Sequence, residues 1–436
     1  MDLRRTGLYR LDRRRPDHPH RRRSAADARL RSPGTAGPTG MSTTFWSAVL
    51  QWSRLGVNAG LFLVAARYLS LAEIGAFATA FAPVRLVQGT LRAGLGDIAI
   101  LRAEPQDALI ALSAAVGLIA GLALAVTGLM LPPSVGTMMA VLSPIPLIQG
   151  LAQPSEAHLR RTLRLRALAL RTLAAQTAAA AVALLALAQG AGPWSLAVFA
   201  LANTALTAAL SLWLAPIRLG TCPKRGEIRA LLPDALRLSL RDLAGNATLP
   251  LLQLAVGACL GLPAAGAFQI ASRVLGLIDA LAIAPLRYVA LPRFTGLQPR
   301  ALRGALARNL RQSAGIACIV YPAVAVAAPD LLVVAVGSEH AEAAAPLMPA
   351  FCLAGLLAAL AMPLNQALSA SGHIRLTLNR NLATLVLTLT LALPGLSHSL
   401  TATVWALPGA SSLVLIWYLK TAHRLLRPDP RELAAE

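Results

Sequence analysis

The sequence predicts an all-α integral membrane protein with about 12 transmembrane helices in two six-helix lobes and with both termini in the cytoplasm. Three observations support this prediction: an apolar composition, a series of long apolar segments, and an alternation of basic and charge-free loops. Hydrophobic residues make up 56% of the 436 residues and charged residues 14%, with a mean hydropathy of +0.60. Soluble domains are usually about half apolar and about a quarter charged, so this composition argues against a soluble protein.

The charge balance is strongly basic but lacks the features of a nucleic-acid-binding protein. The 40 basic residues outnumber the 19 acidic residues and give a net charge of +21. Aromatic residues make up only 4% of the chain, and the charge does not lie on a soluble domain. We therefore expect no nucleic acid among its partners. The four cysteines form no C-x-x-C motif, so the sequence predicts no zinc site, no disulfide framework and no cofactor.

Residues 1–40 differ from the rest of the chain. They contain eleven arginines and four aspartates and end in a segment rich in Pro, Gly and Ser. Because they contain no apolar stretch, we do not expect a secretory signal. Such a segment cannot bury enough apolar surface to fold by itself. We expect either a disordered cytoplasmic tail or a mis-assigned start, with Met41 as the true initiator.

Twelve segments have the roughly 20 mostly apolar residues that a membrane-spanning helix needs. Several of them contain Pro, Gly or charged residues, so the count is accurate to one or two helices. The segments are 45–67, 75–99, 109–131, 136–156, 168–188, 194–215, 235–259, 265–291, 311–336, 344–370, 376–395 and 400–419.

The loops between these segments alternate in charge. The loops after the odd-numbered segments contain no Lys or Arg except Arg67, at the end of segment 1. Cytoplasmic loops of membrane proteins carry the excess of basic residues, so the basic even-numbered loops place both termini in the cytoplasm. The basic residues include Arg102, Arg160, Arg161, Arg164, Arg166, Arg218, Lys224, Arg225, Arg229, Arg293, Arg300, Arg303, Arg308, Arg375, Lys420 and Arg424.

An internal repeat divides the chain into two halves. Residues 69–80 (LSLAEIGAFATA) resemble residues 260–271 (LGLPAAGAFQIA), which lie 191 positions later. A looser similarity pairs residues 146–151 with 363–368. Six helices in each half give both halves the same orientation, a parallel repeat that is found in secondary transporters. The expected divisions are a first lobe at 41–215, a basic cytoplasmic linker at 216–234, a second lobe at 235–420 and a cytoplasmic tail at 421–436.

Charged side chains inside the segments concentrate in the first two segments of each half. Each costs about 2.5–3.5 kcal/mol at the centre of an inserting helix, so such residues face a wet cavity or a partner. Their helical spacing predicts polar faces that meet in a positive cavity, where guanidinium groups suit a phosphate. The predicted lumen residues are Arg54, Arg85, Arg92, Arg241, Arg273, Gln51, Asn58, Gln88 and Asn246; Asp97, Asp242 and Asp279 either orient the arginines or titrate as ion-coupling groups.

A purely structural role is the alternative for these residues, with the arginines reaching to the membrane interface or pairing with the aspartates. Segments 3, 6, 9 and 12 contain almost no charge, which predicts lipid-facing helices. Glu156 and His158 are interpreted as polar residues at a cytoplasmic helix end. The sequence contains no P-loop and no H-E-x-x-H or G-x-S-x-G motif. The short outside loops leave no room for a large catalytic loop, so no enzyme is predicted.

Two stretches resemble a known family. Residues 163–171 (LRLRALALR), followed by an Ala-rich helix and residues 192–196 (GPWSL), resemble the central signature of polysaccharide-unit flippases. These are Wzx-type translocases of the multidrug/oligosaccharidyl-lipid/polysaccharide exporter superfamily. Residues 54–77 resemble the first helical hairpin of that family. The resemblance implies two lobes that form a V and a substrate of undecaprenyl-diphosphate-linked oligosaccharide. Many members of the family have fourteen helices, whereas twelve segments are found in this sequence.

These observations lead to the hypothesis of a non-enzymatic flippase in lipopolysaccharide or exopolysaccharide biosynthesis. It moves the lipid-linked oligosaccharide across the bacterial inner membrane by alternating access, and the lumen arginines hold the diphosphate. The resemblance also implies a polysaccharide polymerase and a chain-length regulator as partners. The first alternative is an ion-coupled drug antiporter of the same fold, which for cationic drugs needs an acidic or apolar lumen. A membrane enzyme and a non-transporting scaffold are further alternatives.

Overall fold

The computed structural model describes residues 55–96, 99, 106–162, 164–216, 225–284, 286, 294, 299–371 and 374–425. Within these ranges the regular elements are all helical. Most are α-helices, with two π-helical segments and one 3-10 turn. The all-α class that the sequence predicts is therefore confirmed.

The described residues of the first half form helices that we number α1 to α7. A π-helical segment, Leu91–Gly96, follows α2 directly. The helices are α1 Leu55–Tyr68, α2 Leu71–Thr90, α3 Gln106–Leu129, α4 Pro133–Leu142, α5 Ile145–Arg161, α6 Leu165–Ala188 and α7 Trp194–Leu214.

The described residues of the second half form helices α8 to α15. A π-helical segment, Asp279–Ile283, follows α10, and a 3-10 turn, Ala345–Leu347, separates α12 from α13. The helices are α8 Arg225–Asn246, α9 Thr248–Cys259, α10 Leu262–Ile278, α11 Pro299–Val336, α12 Ser338–Ala344, α13 Met348–Ala370, α14 Ile374–Leu396 and α15 Leu400–Leu425.

The helices fall on all twelve predicted segments. In the described ranges, nine helices or helix pairs are long and apolar enough to cross a membrane, and they correspond to segments 3 to 6 and 8 to 12. The other three segments contain the short apolar helices α1 and α9 and the helices α2 and α8, which carry charged residues along their length. The membrane fold is thus established, while the count of twelve spans and the cytoplasmic termini stay predictions.

Two of the predicted segments are each broken into a pair of helices. Segment 4 divides into α4 and α5 at Pro144, and Pro146 lies in the first turn of α5. A proline is tolerated there because the first N–H groups of a helix have no partner within the helix. Segment 7 divides into α8 and α9 at Ala247, and Pro250 lies in the first turn of α9. Each break thus lies next to a proline in the first turn of the following helix.

The two copies of the sequence repeat pack against each other. A Cβ atom at Gly75 in α2 would collide with backbone atoms of Leu262 and Gly266 in α10. A Cβ atom at Gly266 would likewise collide with the backbone of Leu71. At the offset of 191 residues these contacts are reciprocal, as expected at a two-fold axis between two duplicated units. Glycine is required at both positions because the two helix backbones touch there.

Polar contacts strengthen this end of the molecule, which the charge pattern predicts to lie on the non-cytoplasmic side of the membrane. Ser70 caps α2 and forms a capping box with Glu73, which fixes the start of the helix. Arg67 donates a hydrogen bond to the carbonyl oxygen of Val334 over 2.6 Å. The Nε2 atom of His340 lies 2.8 Å from the carbonyl oxygen of Leu69. The first half is thereby tied to α11 and α12 of the second half at the predicted outer end.

The opposite end has its own, smaller contact between the halves. Leu91 and Leu95 of the first π-helical segment pack with Leu231 and Ala235 of α8 in one buried apolar cluster. The hydroxyl of Ser239 in α8 lies 3.3 Å from the carbonyl oxygen of Thr90, to which it donates a hydrogen bond. The space between the halves therefore lies between two contact regions.

Candidate transport cavity

A central cavity of about 370 Å³ lies between the two halves. Helices α1 and α2 form its first-half wall, and α9 and α10 form most of its second-half wall. Phe62, Phe81 and Phe268 give it a partly aromatic surface. Its polar lining consists of Asn58, Arg85, Gln253, Gln269, Ser272 and Arg273.

Arg273 joins the two walls of the central cavity. Its guanidinium carbon lies 4.5 Å from the centre of the Phe62 ring, so a cation of the second half lies over an aromatic face of the first. Arg85 also lines the cavity, and the charges of the two arginines act on each other. Among the described residues that line this cavity there is no carboxylate. The two guanidinium groups therefore form a positive site suited to an anion.

An inner cavity of about 600 Å³ adjoins the central cavity. The two cavities share Arg85, Leu249 and Pro250 as lining residues. The inner cavity follows the break between α8 and α9, where Asn246 ends the first helix and Thr248 begins the second. Its charged and amide lining consists of Arg85, Arg92, Arg160, Asp242 and Asn246.

A side chamber of about 270 Å³ opens from the central cavity into the first half. The side chamber and the central cavity share Asn58, Phe62, Phe81 and Arg273. Helices α5, α6 and α7 provide most of the rest of its wall. Its other polar lining residues are Gln88, Arg92, Gln149, Glu156, Thr172, Gln176, Asn203, Thr204 and Thr207.

The connected cavities are positively charged in the described part of the chain. Four arginines line them, Arg85, Arg92, Arg160 and Arg273, against the two carboxylates Asp242 and Glu156. Glu156 is engaged by its own neighbours, since it pairs with Arg160 one turn away and its Oε2 atom lies 3.8 Å from Arg171. Because charges interact more strongly in a low dielectric than in water, this excess favours an anionic ligand.

The structure brings most of the described lumen candidates together. Three arginines and three amides that the sequence selects line the connected cavities, and so does one of the aspartates. Asp279 begins the second π-helical segment and is not among the lining residues of the three cavities. Gln51, Arg54 and Asp97, and the side chain of Arg241, lie outside the described part of the chain. The lining candidates are Asn58, Arg85, Gln88, Arg92, Asp242, Asn246 and Arg273.

Sequence reasoning missed most of the side chamber. Segment 6 was expected to face lipid, but one side of α7 places Asn203, Thr204 and Thr207 in the chamber. The opposite side matches the expectation, because 75% of Trp213 is exposed. Glu156 also lines the chamber and is more than an interfacial residue. The available signal was the spacing of amides and hydroxyls along α6 and α7. A prediction based on charged residues does not use it.

Amide side chains from α5 connect the cavity wall to α2. Gln149 donates a hydrogen bond to the carbonyl oxygen of Gln88 over 3.1 Å. The Nε2 atom of Gln153 lies 3.3 Å from the carbonyl oxygen of Leu91 and 3.4 Å from that of Arg92. These bonds satisfy carbonyl groups where α2 passes into its π-helical segment, where the regular helical pattern changes. Among the described residues, no group of three His, Cys, Asp or Glu side chains is placed to hold a metal ion.

Comparison with known proteins identifies the family. The family model described as "Polysaccharide biosynthesis protein" matches residues 64–345. The chain belongs to this family. The match includes residues 69–80 and 260–271 of the repeat, helices α2 to α12 and most of the residues that line the side chamber. No curated protein matches the sequence significantly.

Several solved membrane transporters share the fold of this polysaccharide biosynthesis protein. The lipid II flippase MurJ in an inward closed conformation has a TM-score of 0.77 at 12% identity, covering 88% of this chain and 88% of that chain. An inward-facing multidrug resistance MATE family transporter of the MOP superfamily has a TM-score of 0.65 at 16% identity, covering 84% and 94%. An outward-facing transporter of that description has a TM-score of 0.54 at 15% identity, covering 88% and 97%.

Together these findings define the general class of the protein. It is a multi-pass membrane protein that belongs to the polysaccharide biosynthesis family and shares the fold of these solved structures. The solved structures with this fold are described as a lipid II flippase and as multidrug resistance transporters.

Proposed function

We propose that this protein flips an undecaprenyl-diphosphate-linked oligosaccharide across the bacterial inner membrane during lipopolysaccharide or exopolysaccharide biosynthesis. The observation that carries the proposal is the positive cavity between the duplicated halves, where Arg85 and Arg273 line one space without a lining carboxylate among the described residues. Guanidinium groups bind phosphate oxygens through pairs of hydrogen bonds. A fold shared with a protein described as a lipid II flippase supports the same class of cargo.

The same cavity argues against the drug-antiporter alternative for cationic compounds. A cation in the central cavity would meet Arg85 and Arg273 and would gain no opposing carboxylate from the described lining. Like charges a few ångströms apart in a partly dry site repel each other strongly. An anionic head group, with its lipid tail outside in the bilayer, fits this electrostatic environment better.

In the proposed alternating-access cycle, this arrangement of the halves is a state that is closed at the predicted outer end. The outer end is closed where α2 and α10 touch at Gly75 and Gly266. The inner cavity extends along Arg92 toward Arg160, which the charge pattern places near the cytoplasm. The diphosphate would enter from this side, bind between Arg85 and Arg273, and leave after the contact at the outer end opens.

The test is a flipping measurement with the purified full chain in liposomes. Undecaprenyl diphosphate carrying N-acetylglucosamine is placed in the membrane, and a lectin that cannot cross it detects sugar reaching the outer leaflet under an imposed proton or sodium gradient. We expect R85A/R273A to slow flipping about 100-fold, because each arginine–phosphate contact contributes about 1.5–3 kcal/mol. R85K/R273K keeps both positive charges but loses the planar guanidinium groups, which can donate paired hydrogen bonds to a phosphate. Its flipping rate should lie between those of the wild type and R85A/R273A.

Arg308→Ala is the matched control. Arg308 is an exposed arginine of α11 that lies outside the three cavities, so its loss should leave the flipping rate within about twofold. Unchanged flipping by correctly inserted R85A/R273A would contradict the assignment of the cavity. Absence of flipping by the wild-type protein would contradict the proposed activity.

A further inference from the structure

We infer that the side chamber of the first half holds the first sugar of the lipid-linked unit while the diphosphate stays between Arg85 and Arg273. This inference rests on the proposed function and adds a second subsite to it. It assigns to α6 and α7 a binding role that neither the sequence pattern nor the family membership assigns. The chamber is, in this proposal, a carbohydrate-binding subsite beside the anion-binding pair Arg85 and Arg273.

Two amides in the wall of the chamber have an oxygen atom that is unpaired within the described part of the chain. The side-chain oxygen atoms of Gln176 and Asn203 are buried and have no hydrogen-bond partner among the described residues. Gln176 is only 5% exposed. A buried polar group without a partner costs free energy, and most such groups in folded proteins are paired. An amide has both donor and acceptor capacity, which complements the hydroxyl groups of a sugar.

The remaining lining of the chamber also suits a sugar. Thr204 and Thr207 on α7 and Thr172 on α6 add hydroxyl groups around the two amides. Phe77, Phe81 and Phe199 supply apolar surface. Specific small-molecule sites usually combine such apolar walls with a few placed polar groups, in volumes of about 300–1,000 Å³. The chamber, at about 270 Å³, lies just below this range and suits one sugar residue better than a long glycan.

The position of the chamber matches the order of groups in the substrate. Arg273 lines both the chamber and the central cavity, and so do Asn58 and Phe62. A sugar in the chamber is therefore adjacent to an anion bound at Arg273. In a diphosphate-linked glycan the first sugar is bonded directly to the phosphate. The sugar can therefore lie in the side chamber while the diphosphate lies in the central cavity.

An ion-binding role explains the chamber less well. Glu156 is the one carboxylate among its described lining residues. It pairs with Arg160, and Arg171 lies 3.8 Å away, so its charge is already opposed by cations. Arg92 and Arg273 also line the chamber and would repel a metal ion. A neutral ligand with hydroxyl groups avoids this repulsion and pairs with the two amides.

The test compares three lipids bound to the detergent-solubilised full chain: undecaprenyl diphosphate, and the same lipid carrying N-acetylglucosamine or galactose. We expect the wild-type protein to bind at least one glycosylated lipid about tenfold more tightly than the sugar-free lipid. In Q176L and N203L the ratio of the affinity for the glycosylated lipid to that for the sugar-free lipid should fall toward one. The affinity for undecaprenyl diphosphate itself should stay unchanged. Retained sugar-free binding also shows that the variants are folded.

Gln312→Leu is the matched control, because Gln312 is an exposed amide of α11 outside the three cavities. Its sugar preference should equal that of the wild type. Equal binding of all three lipids by the wild type, or an unchanged preference in both Q176L and N203L, would overturn the chamber assignment alone. Failure of the wild type to bind undecaprenyl diphosphate would overturn the proposed function, and the chamber assignment with it.

Discussion

Helices α2 and α10 carry the two copies of the sequence repeat and can be compared position by position at an offset of 191 residues. Where they touch, they match, because Gly75 and Gly266 occupy equivalent positions and make reciprocal backbone contacts. Where they line the cavity, they differ. The residue equivalent to Arg85 is Gly276, and the residue equivalent to Arg273 is Ala82. Both Gly276 and Ala82 also line the central cavity.

This comparison separates two demands on a duplicated transporter. A contact across a two-fold axis needs the same surface on both halves, so the glycines are retained in both copies. A cargo with a charged group at one end and a sugar at the other has no two-fold symmetry. The residues that line the cavity can therefore differ between the halves. Each half supplies one arginine of the pair, and the two arginines occupy non-equivalent positions of the repeat.

The helices outside the repeat also differ between the two halves. In the first half, α5, α6 and α7 enclose the polar side chamber. In the second half, apolar and aromatic residues pack tightly beside α10. The Phe268 and Phe351 rings lie 5.2 Å apart, and a Cβ atom at Gly355 would collide with Tyr321 and Leu275. The second half thus offers a packed wall at this place, and the first half offers the subsite.

The largest effect is expected where the halves are alike. Gly75→Ala combined with Gly266→Ala inserts two methyl groups between touching backbones, and overpacking costs about 1–3 kcal/mol at each position. The closed outer end should lose about 100-fold or more in relative population. Spin labels on Tyr68→Cys and Glu339→Cys, in a background without the native cysteines, should report a longer distance across the outer end.

Gly60→Ala is the control for this prediction. Gly60 is an exposed glycine of α1, and a Cβ atom there would meet nothing within 4 Å. The control should leave the label distance unchanged. If the double alanine variant kept the wild-type distance, the contact of α2 with α10 would not be the element that closes the outer end.

The sequence was sufficient to find the repeat, although the contact between its two copies appears only in the structure. The repeat of Gly-Ala-Phe at 75–77 and 266–268 is visible in the chain. The apolar segments and the arginines inside them predict the membrane fold and a cavity between the halves. These features follow from local composition and spacing, and for charged groups the cost of burial in a membrane restricts the possible environments.

The side chamber was not predictable in the same way. Gln176 and Asn203 carry no charge, and single amides or threonines in apolar helices are compatible with contacts to neighbouring helices as well as with a cavity. Their role depends on how α6 and α7 rotate against α5, which is a tertiary property. The same limit applies to Glu156, since a carboxylate near a helix end can face water, lipid head groups or a chamber.

An intermediate effect is expected where the halves differ. Arg85→Ala should reduce flipping about tenfold, since one charge-assisted contact is lost. Adding Gly276→Arg places a guanidinium at the equivalent position of α10, where a Cβ atom meets nothing within 4 Å. If the cavity requires mainly positive charge, R85A/G276R should recover to within about threefold of the wild-type rate.

Gly304→Arg in the Arg85→Ala background is the control for this exchange. Gly304 is exposed on α11, has equal free space, and lies outside the three cavities. It should give no recovery. If R85A/G276R also gave no recovery, while its insertion and thermal stability were normal, the position of the guanidinium on the first half would be essential, and the comparison of the halves would imply a strictly asymmetric site.

The smallest effect is expected at a contact without a symmetric counterpart. Arg67 bonds the carbonyl oxygen of Val334, whereas the residue 191 positions after Arg67 is Ala258, which cannot form such a bond. Arg67 is exposed, so its bond should contribute near the low end of the 0.5–1.5 kcal/mol range, and Arg67→Ala should shift the outer-end population about threefold. The Tyr68–Glu339 label pair measures this shift. A shift as large as that of the double glycine variant would mean that polar contacts of one half, and not the shared backbone contact, hold the outer end closed.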